Sequence, residues 1–139
     1  AEAGSIPNWP PNNNDIVENM KTEIFIPAPF MTPLGDRKIG PIYEMRTYKY
    51  GPGAIPQVLE AWGARIEERE KYSPLAGAWY SEIGGLNLWV HLWAYSSLDE
   101  RARVRTETRE NGVWPPPGSA TPLQQENKIL TPFGFSPMQ

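Results

Sequence analysis

The sequence predicts an α+β domain in which an antiparallel sheet alternates with two helices in the order β-α-β-β-α-β. Three observations predict it. Segments around residues 42–50, 76–83 and 87–95 alternate side-chain type residue by residue, residues 55–66 carry apolar side chains at helical spacing, and Ser97 opens a capped helix. At 139 residues the chain has room for one hydrophobic core of ordinary size.

Taken in order, the first element of the domain is Ile42 to Tyr50, IYEMRTYKY. Tyr43, Met45 and Thr47 share one side, while Ile42, Glu44, Arg46, Tyr48 and Tyr50 share the other. GPGAIP then ends the strand and opens a helix, with Pro56 in the first turn, where a missing N–H costs nothing. Ile55, Leu59, Trp62 and Ile66 form the apolar stripe of that helix, and the run Glu67, Glu68, Arg69, Glu70, Lys71 reads as its solvated face. The helix is expected to end between Lys71 and Ser73, because Pro74 disfavours helical geometry in the residue before it. Ala76 to Ile83 follows as a strand, with Trp79, Ser81 and Ile83 on one face and Ala78, Tyr80 and Glu82 on the other. Gly84 and Gly85 turn it into a hairpin with the next strand.

That next strand, Asn87 to Tyr95, is the centre of the pattern. Leu88, Val90, Leu92 and Ala94 point one way; Trp89, His91, Trp93 and Tyr95 point the other. Four large rings on one side of a strand require a cover, which a ligand, another sheet or a second subunit would supply. Ser97 and Glu100 then form a capping box, each side chain expected to satisfy the other's backbone N–H, and Leu98, Ala102 and Arg105 are placed on the inner face of the helix. Gly112 after Asn111 suits its C-terminus, and Glu126 to Thr131 reads as a final short strand. The result is the split βαβ, ferredoxin-like arrangement with two helices on one face.

Composition excludes several functions. A net charge of −3 and no basic excess argue against a nucleic-acid partner held by phosphate contacts. No run of 18 apolar residues is present to span a membrane. Cysteine is absent, which removes disulfides, thiolate catalysis and cysteine-ligated metals together and leaves the compartment open. The glycine-rich turns GPG and IGG have no phosphate-loop pattern, and one histidine with two glutamates on separate strands has no metal-ligand spacing. No cofactor is implied.

The two ends resemble each other. Trp9, Pro10, Pro11, Ile24, Pro27 and Phe30 fall on Trp114, Pro115, Pro116, Ile129, Pro132 and Phe135 without a gap, at a constant offset of 105 (114 − 9). The chain starts at Ala1 without the features of a signal peptide, which reads as a chain processed or cut from something longer. Residues 1–33 are therefore read as the end of a preceding repeat unit, 34–41 as a linker, and 42–139 as a complete domain. Lys21 to Ile26 is expected to be a strand that completes a sheet in another copy, because a lone terminal strand cannot bury its own apolar face.

Three stretches, IYEMRTYKYGPGAIPQVLEAW, SPLAGAWYSEIGGLNLWVHLWAYSSLDERARVR and ILTPFGFSP, resemble the NIPSNAP family over essentially Pro41 to Pro137. Family members often hold two such units in tandem. The resemblance implies a dimeric α+β barrel: two ferredoxin-like sheets packed through their open faces, with the helices over the aliphatic side and the second unit over Trp89, His91, Trp93 and Tyr95. It brings no agreed enzymatic activity. The partner it implies is a second copy or a companion chain carrying the front of the first repeat.

One face of the sheet then gathers the candidate site: Glu44, Arg46, Tyr48, Tyr80, Glu82, His91, Trp93 and Tyr95. His91 is the only histidine, and the unperturbed pKa of an imidazole suits a base or acid near neutral pH, so it is the candidate base, with Glu44 or Glu82 to orient it and Arg46 to hold an anion. The aromatic rings would wall an apolar pocket. The same Glu, Arg and His are also what a covered sheet needs to satisfy its buried polar atoms. Two functional readings follow. The first is an oligomeric structural, interaction or small-hydrophobic-ligand-binding module. The second is a cofactor-independent oxygenase or isomerase on a hydrophobic or aromatic substrate, using His91 and Arg46.

Overall fold

A computed structural model describes Pro7, Asn12, residues 14–35 and residues 37–138. The elements are β1 (Ile24–Pro27), β2 (Ile42–Lys49), α1 (Ile55–Gly63), α2 (Ile66–Glu70), β3 (Leu75–Ile83), β4 (Leu88–Tyr95), α3 (Leu98–Glu110) and β5 (Gln124–Leu130). Five strands form one antiparallel sheet in the order β1-β3-β4-β2-β5. Without β1 this is the ferredoxin-like order expected from the sequence, with β4 and β2 at the centre.

Local chemistry explains most boundaries. Pro56 lies in the first turn of α1, and Gly53, just before the helix, has φ +77°. Where one helix was expected through Lys71, the chain breaks at Ala64–Arg65 into α1 and α2. In α2 Ile66 and Arg69 face inward, so Arg69, expected in the solvated run, is only 3 % exposed. Gly84 (φ +104°) and Asn87 (φ 60°) carry the hairpin turn, and β4 therefore begins one residue later than expected. At α3 the Ser97 hydroxyl accepts from the Glu100 N–H at 3.0 Å, but the Glu100 carboxylate reaches back to the N–H and hydroxyl of Ser96 rather than to Ser97. The inward side of α3 is also rotated from expectation. Val104 and Thr108 are buried, while Leu98 is 54 % exposed and Ala102 faces solvent. With so few apolar residues, α3 is oriented by Val104 and by the ion pair of Arg101 with Glu44.

The strand registers agree with the alternation read from sequence. Arg46 lies opposite His91, Glu44 opposite Trp93 and Ala78 opposite His91, so their side chains share a face. Which face the helices cover is the reverse of the expectation. Trp62 of α1 packs with ring centroids 5.0 Å from Trp89, 4.6 Å from His91 and 6.2 Å from Trp93, and Val58, Ile66 and Val104 join the same core. The ring-bearing side is thus closed by the chain's own helices. The aliphatic side carries Met45, Thr47, Val90, Leu92 and Trp79, all half-buried with no helix above them. The physical reason is handedness. Both faces are apolar enough to be covered, so alternation cannot choose between them; the right-handed crossover from β2 to β3 does.

β1 also departs from the expectation of a strand given to another copy. It pairs with β3 of the same chain, Ile26 opposite Tyr80 and Pro27 opposite Trp79, and the Ala28 N–H donates to the Ala78 carbonyl at 2.9 Å. Phe30 continues the docking, its ring 6.2 Å from Trp89. Of the residues that carry the internal repeat, Trp9, Pro10 and Pro11 lie outside the described residues. At the other end the tail folds back toward the aliphatic face, where the Tyr43 hydroxyl donates to the Met138 carbonyl.

Candidate functional site

Between the ring-bearing face and the helices lies a cavity of about 420 Å³. Its floor comes from the sheet: Glu44, Arg46 and Tyr48 of β2, Trp93 and Tyr95 of β4. Helices supply one wall through Trp62, Arg69, Arg105, Thr108 and Arg109, and the loop from Trp114 to Pro122 closes the other. Because residues two apart on a strand share a face, the expected constellation arrives together in part. Glu44, Arg46, Tyr48, Trp93 and Tyr95 line the cavity; Tyr80, Glu82 and His91 do not. Tyr80 packs at the edge of the core beside Trp89, and Glu82 is exposed at the far end of β3.

His91 lies beneath this cavity, 1 % exposed and enclosed by Trp62 and by Tyr48 at 5.0 Å. The Trp93 indole N–H donates to its Nδ1 at 2.9 Å, which puts the ring's own proton on Nε2, where no hydrogen-bond partner lies. Burial, and then the charges of Arg46, Arg69 and Arg105, hold its pKa well below 6.5. A neutral ring whose one lone pair is already used cannot take a proton from a substrate without first losing that bond.

The charges are arranged around one carboxylate. Glu44 is fully buried; its Oε1 pairs directly with Arg101 and stands 3.8 Å from Arg105 and 3.9 Å from Arg46, whereas its Oε2 has no hydrogen-bond partner. Bonding to Glu44 raises the pKa of Arg101. Arg105 is lowered, by burial first and by Arg46 second. Arg46 also donates to Asn127 at 2.9 Å. Arg69 has neutral partners: Ser73 at 2.9 Å, the Tyr95 hydroxyl at 3.5 Å, and the Trp93 ring with its centroid 4.1 Å below the guanidinium. Its Nε has no hydrogen-bond partner, and burial lowers its pKa.

The remaining walls are flat and weakly polar. Trp114 meets Trp62 at 4.5 Å and Trp93 at 5.7 Å, both edge to face. Burial raises the phenols of Tyr48 and Tyr95, and pushes that of Tyr50 up to about 12, so all three stay neutral. Among the described residues no three His, Asp or Glu side chains converge to hold a metal. Arg69, Arg105, Arg109, Trp62 and Trp114 are among the lining residues that the sequence reading did not assign to a site. A signal for Arg69 was present: the stripe 55, 59, 62, 66 advances by four, three and four, and a further step of three lands on 69.

The fold and cavity define a small α+β domain with a pocket on one side of the sheet and, on the other, a face that no helix covers and the C-terminal tail overlies in part. The chain belongs to the NIPSNAP family, whose model matches residues 43–137. Among named relatives, it is 41 % identical over 73 residues to the protein NipSnap homolog of Dictyostelium discoideum, covering 52 % of this chain and 33 % of that protein. It is 29 % identical over 135 residues to NipSnap homolog 2 of Mus musculus, covering 95 % and 48 %. The chain therefore spans half or less of these relatives. A solved NIPSNAP family protein of unknown function from Agrobacterium tumefaciens is 38 % identical with a TM-score of 0.63, covering 70 % of this chain and 93 % of that one. An uncharacterized NIPSNAP domain protein from Burkholderia xenovorans is 28 % identical with a TM-score of 0.58, covering 68 % and 97 %. No helix among the described residues is long and apolar enough to cross a membrane.

Proposed function

We propose that this chain is a small-molecule-binding module that works as an oligomer, and that His91 is one of its structural residues. The observation that carries the reading is the cavity walled by Trp62, Trp93 and Trp114, within the size range of ordinary ligand sites and built largely on strands and helices. His91 supports it from below by accepting the Trp93 N–H and so fixing one wall. The open side of the sheet supports the oligomer. Met45, Thr47, Val90, Leu92 and Trp79 form an uncharged patch, bordered by the Glu126–Lys128 pair of β5 opposite Thr47 and Met45, and Trp79 lies flat across Gly77, where an added Cβ would stand 2.0 Å from the ring. A second copy presenting the same face would bury both.

Native mass spectrometry after incubation with a filtered small-molecule cell extract tests both parts. The expected result is an even-numbered assembly carrying an added small mass that is lost on denaturation. Monomers with the polypeptide mass alone would overturn the reading.

A further inference from the structure

We infer that the ligand of this cavity is an anion, a carboxylate or phosphate on a flat aromatic or apolar body, held at its charged end by Arg69, Arg105 and Arg109. The inference rests on the cavity being a ligand site. The cavity's charge runs against that of the chain. The whole sequence has a net charge of −3, yet four arginines and a single carboxylate line this space. That carboxylate, Glu44, is already engaged by Arg101 from behind, and it is shared with Arg46 and Arg105. Among the described residues no acidic group lies within ion-pair distance of Arg69 or Arg109.

Arg69 carries the argument furthest. A guanidinium that is 97 % buried by its 3 % exposure loses its water, and a protein normally supplies a carboxylate in return. Here it meets a serine, a phenol and an indole face, and one N–H has no hydrogen-bond partner. A buried cation with only neutral partners is a site left for a negative charge from outside. Arginine's planar fork suits carboxylate and phosphate oxygens, and Arg105 and Arg109 reach the same space from α3. The Trp114 ring, with Arg69 6.0 Å from its centroid, offers a flat surface on which the body of such a molecule would lie, beside Trp93, whose ring the guanidinium already covers at 4.1 Å. The free Oε2 of Glu44 adds an acceptor for a hydroxyl or amino group on that body.

Three probes of matched size decide the matter: phenylacetate, phenyl phosphate and the neutral phenylacetamide, titrated at low salt against tryptophan fluorescence of the full chain. The two anions are expected to change the signal and to bind at least about tenfold more tightly than the amide. Whichever anion binds more tightly assigns the headgroup. Arg109→Gln, at an exposed position, is expected to weaken anion binding with no change in melting temperature. Arg69→Met is expected to abolish anion binding while leaving the melting temperature of the unliganded chain unchanged or higher, because it removes an uncompensated buried charge. If the amide binds as well as the acids, the ligand cavity stands and its anion preference is wrong. If none of the three perturbs the tryptophans, the cavity reading itself fails. A folded Arg69→Met that binds the anions normally, or one that melts well below the parent, overturns the role given to Arg69.

Discussion

The two faces of this sheet are made from the same strands, yet they solve different problems. The ring-bearing face is closed by α1, α2 and α3 and contains most of the molecule's buried charge: Glu44, Arg69 and a neutral His91 among tryptophans. The opposite face is simpler: Met45, Thr47, Val90, Leu92 and Trp79 are half-buried, while Tyr43, Ala76 and Ala94 are buried beside Met138 of the tail. A polar group costs least to bury where its partners are fixed in the same chain, because assembly then need not align them. The difference teaches that the buried polar groups have been gathered within one chain and that the interface proposed for the other face rests mainly on shape and apolar area.

The comparison is broken most severely at Trp62. Trp62→Ala removes the ring that touches Trp89, His91, Trp93 and Trp114, and is expected to cost about 3–5 kcal/mol in denaturant unfolding. A cost below 1 kcal/mol would mean the inner face is not the core. Val90→Asp addresses the other face. It is expected to raise the dissociation constant of the proposed dimer by about a hundredfold or more, by placing an unpaired carboxylate in the proposed interface. The single chain should lose about 1 kcal/mol, since Asp replaces a half-buried Val on a central strand, and sedimentation at several concentrations reads the assembly separately. An unchanged assembly would place the contact elsewhere.

A finer test uses pH. The His91 pKa lies well below 6.5 in the folded chain, whereas the unfolded ring titrates near that value, so unfolding below pH 6.5 takes up a proton. Stability from the neutral ring is complete above pH 6.5 and declines below it by at most about 1.4 kcal/mol per pH unit. His91→Gln should remove that slope, and denaturation curves from pH 7 to pH 5 would show it. Parallel curves for parent and variant would mean the ring is not buried as described. The smallest effect is expected at Ser97, whose cap belongs to neither face. Ser97→Ala should lower stability by about 1 kcal/mol and leave ligand binding and assembly alone.

Much of the fold was legible because alternation and capping are local. Tyr43 to Thr47, Ala78 to Ile83 and Leu88 to Tyr95 sort onto the faces that their spacing indicates. Two features were not local. The side on which helices lie depends on crossover handedness, and the edge that β1 joins depends on where β3 comes to rest. The site was legible in its floor and hidden in its walls. Glu44, Arg46, Trp93 and Tyr95 share a face by parity alone. Arg69 sits in EEREK, a run whose composition looks solvated although the spacing from Trp62 and Ile66 puts this one member inward. Trp114 comes from a proline-rich loop with no period to read.

The borders of the sheet have a further consequence. On one side β3 is screened by a four-residue strip ending in Pro27, whose nitrogen has no hydrogen to offer a newcomer. On the other, β5 shows the water a fully exposed ribbon whose outward side chains include Glu126 and Lys128, paired with each other at 3.3 Å. Neither margin is a smooth apolar template, so lateral growth into open-ended fibrils is discouraged, and the broad surface is left as the place for the proposed pairing, which closes after one addition.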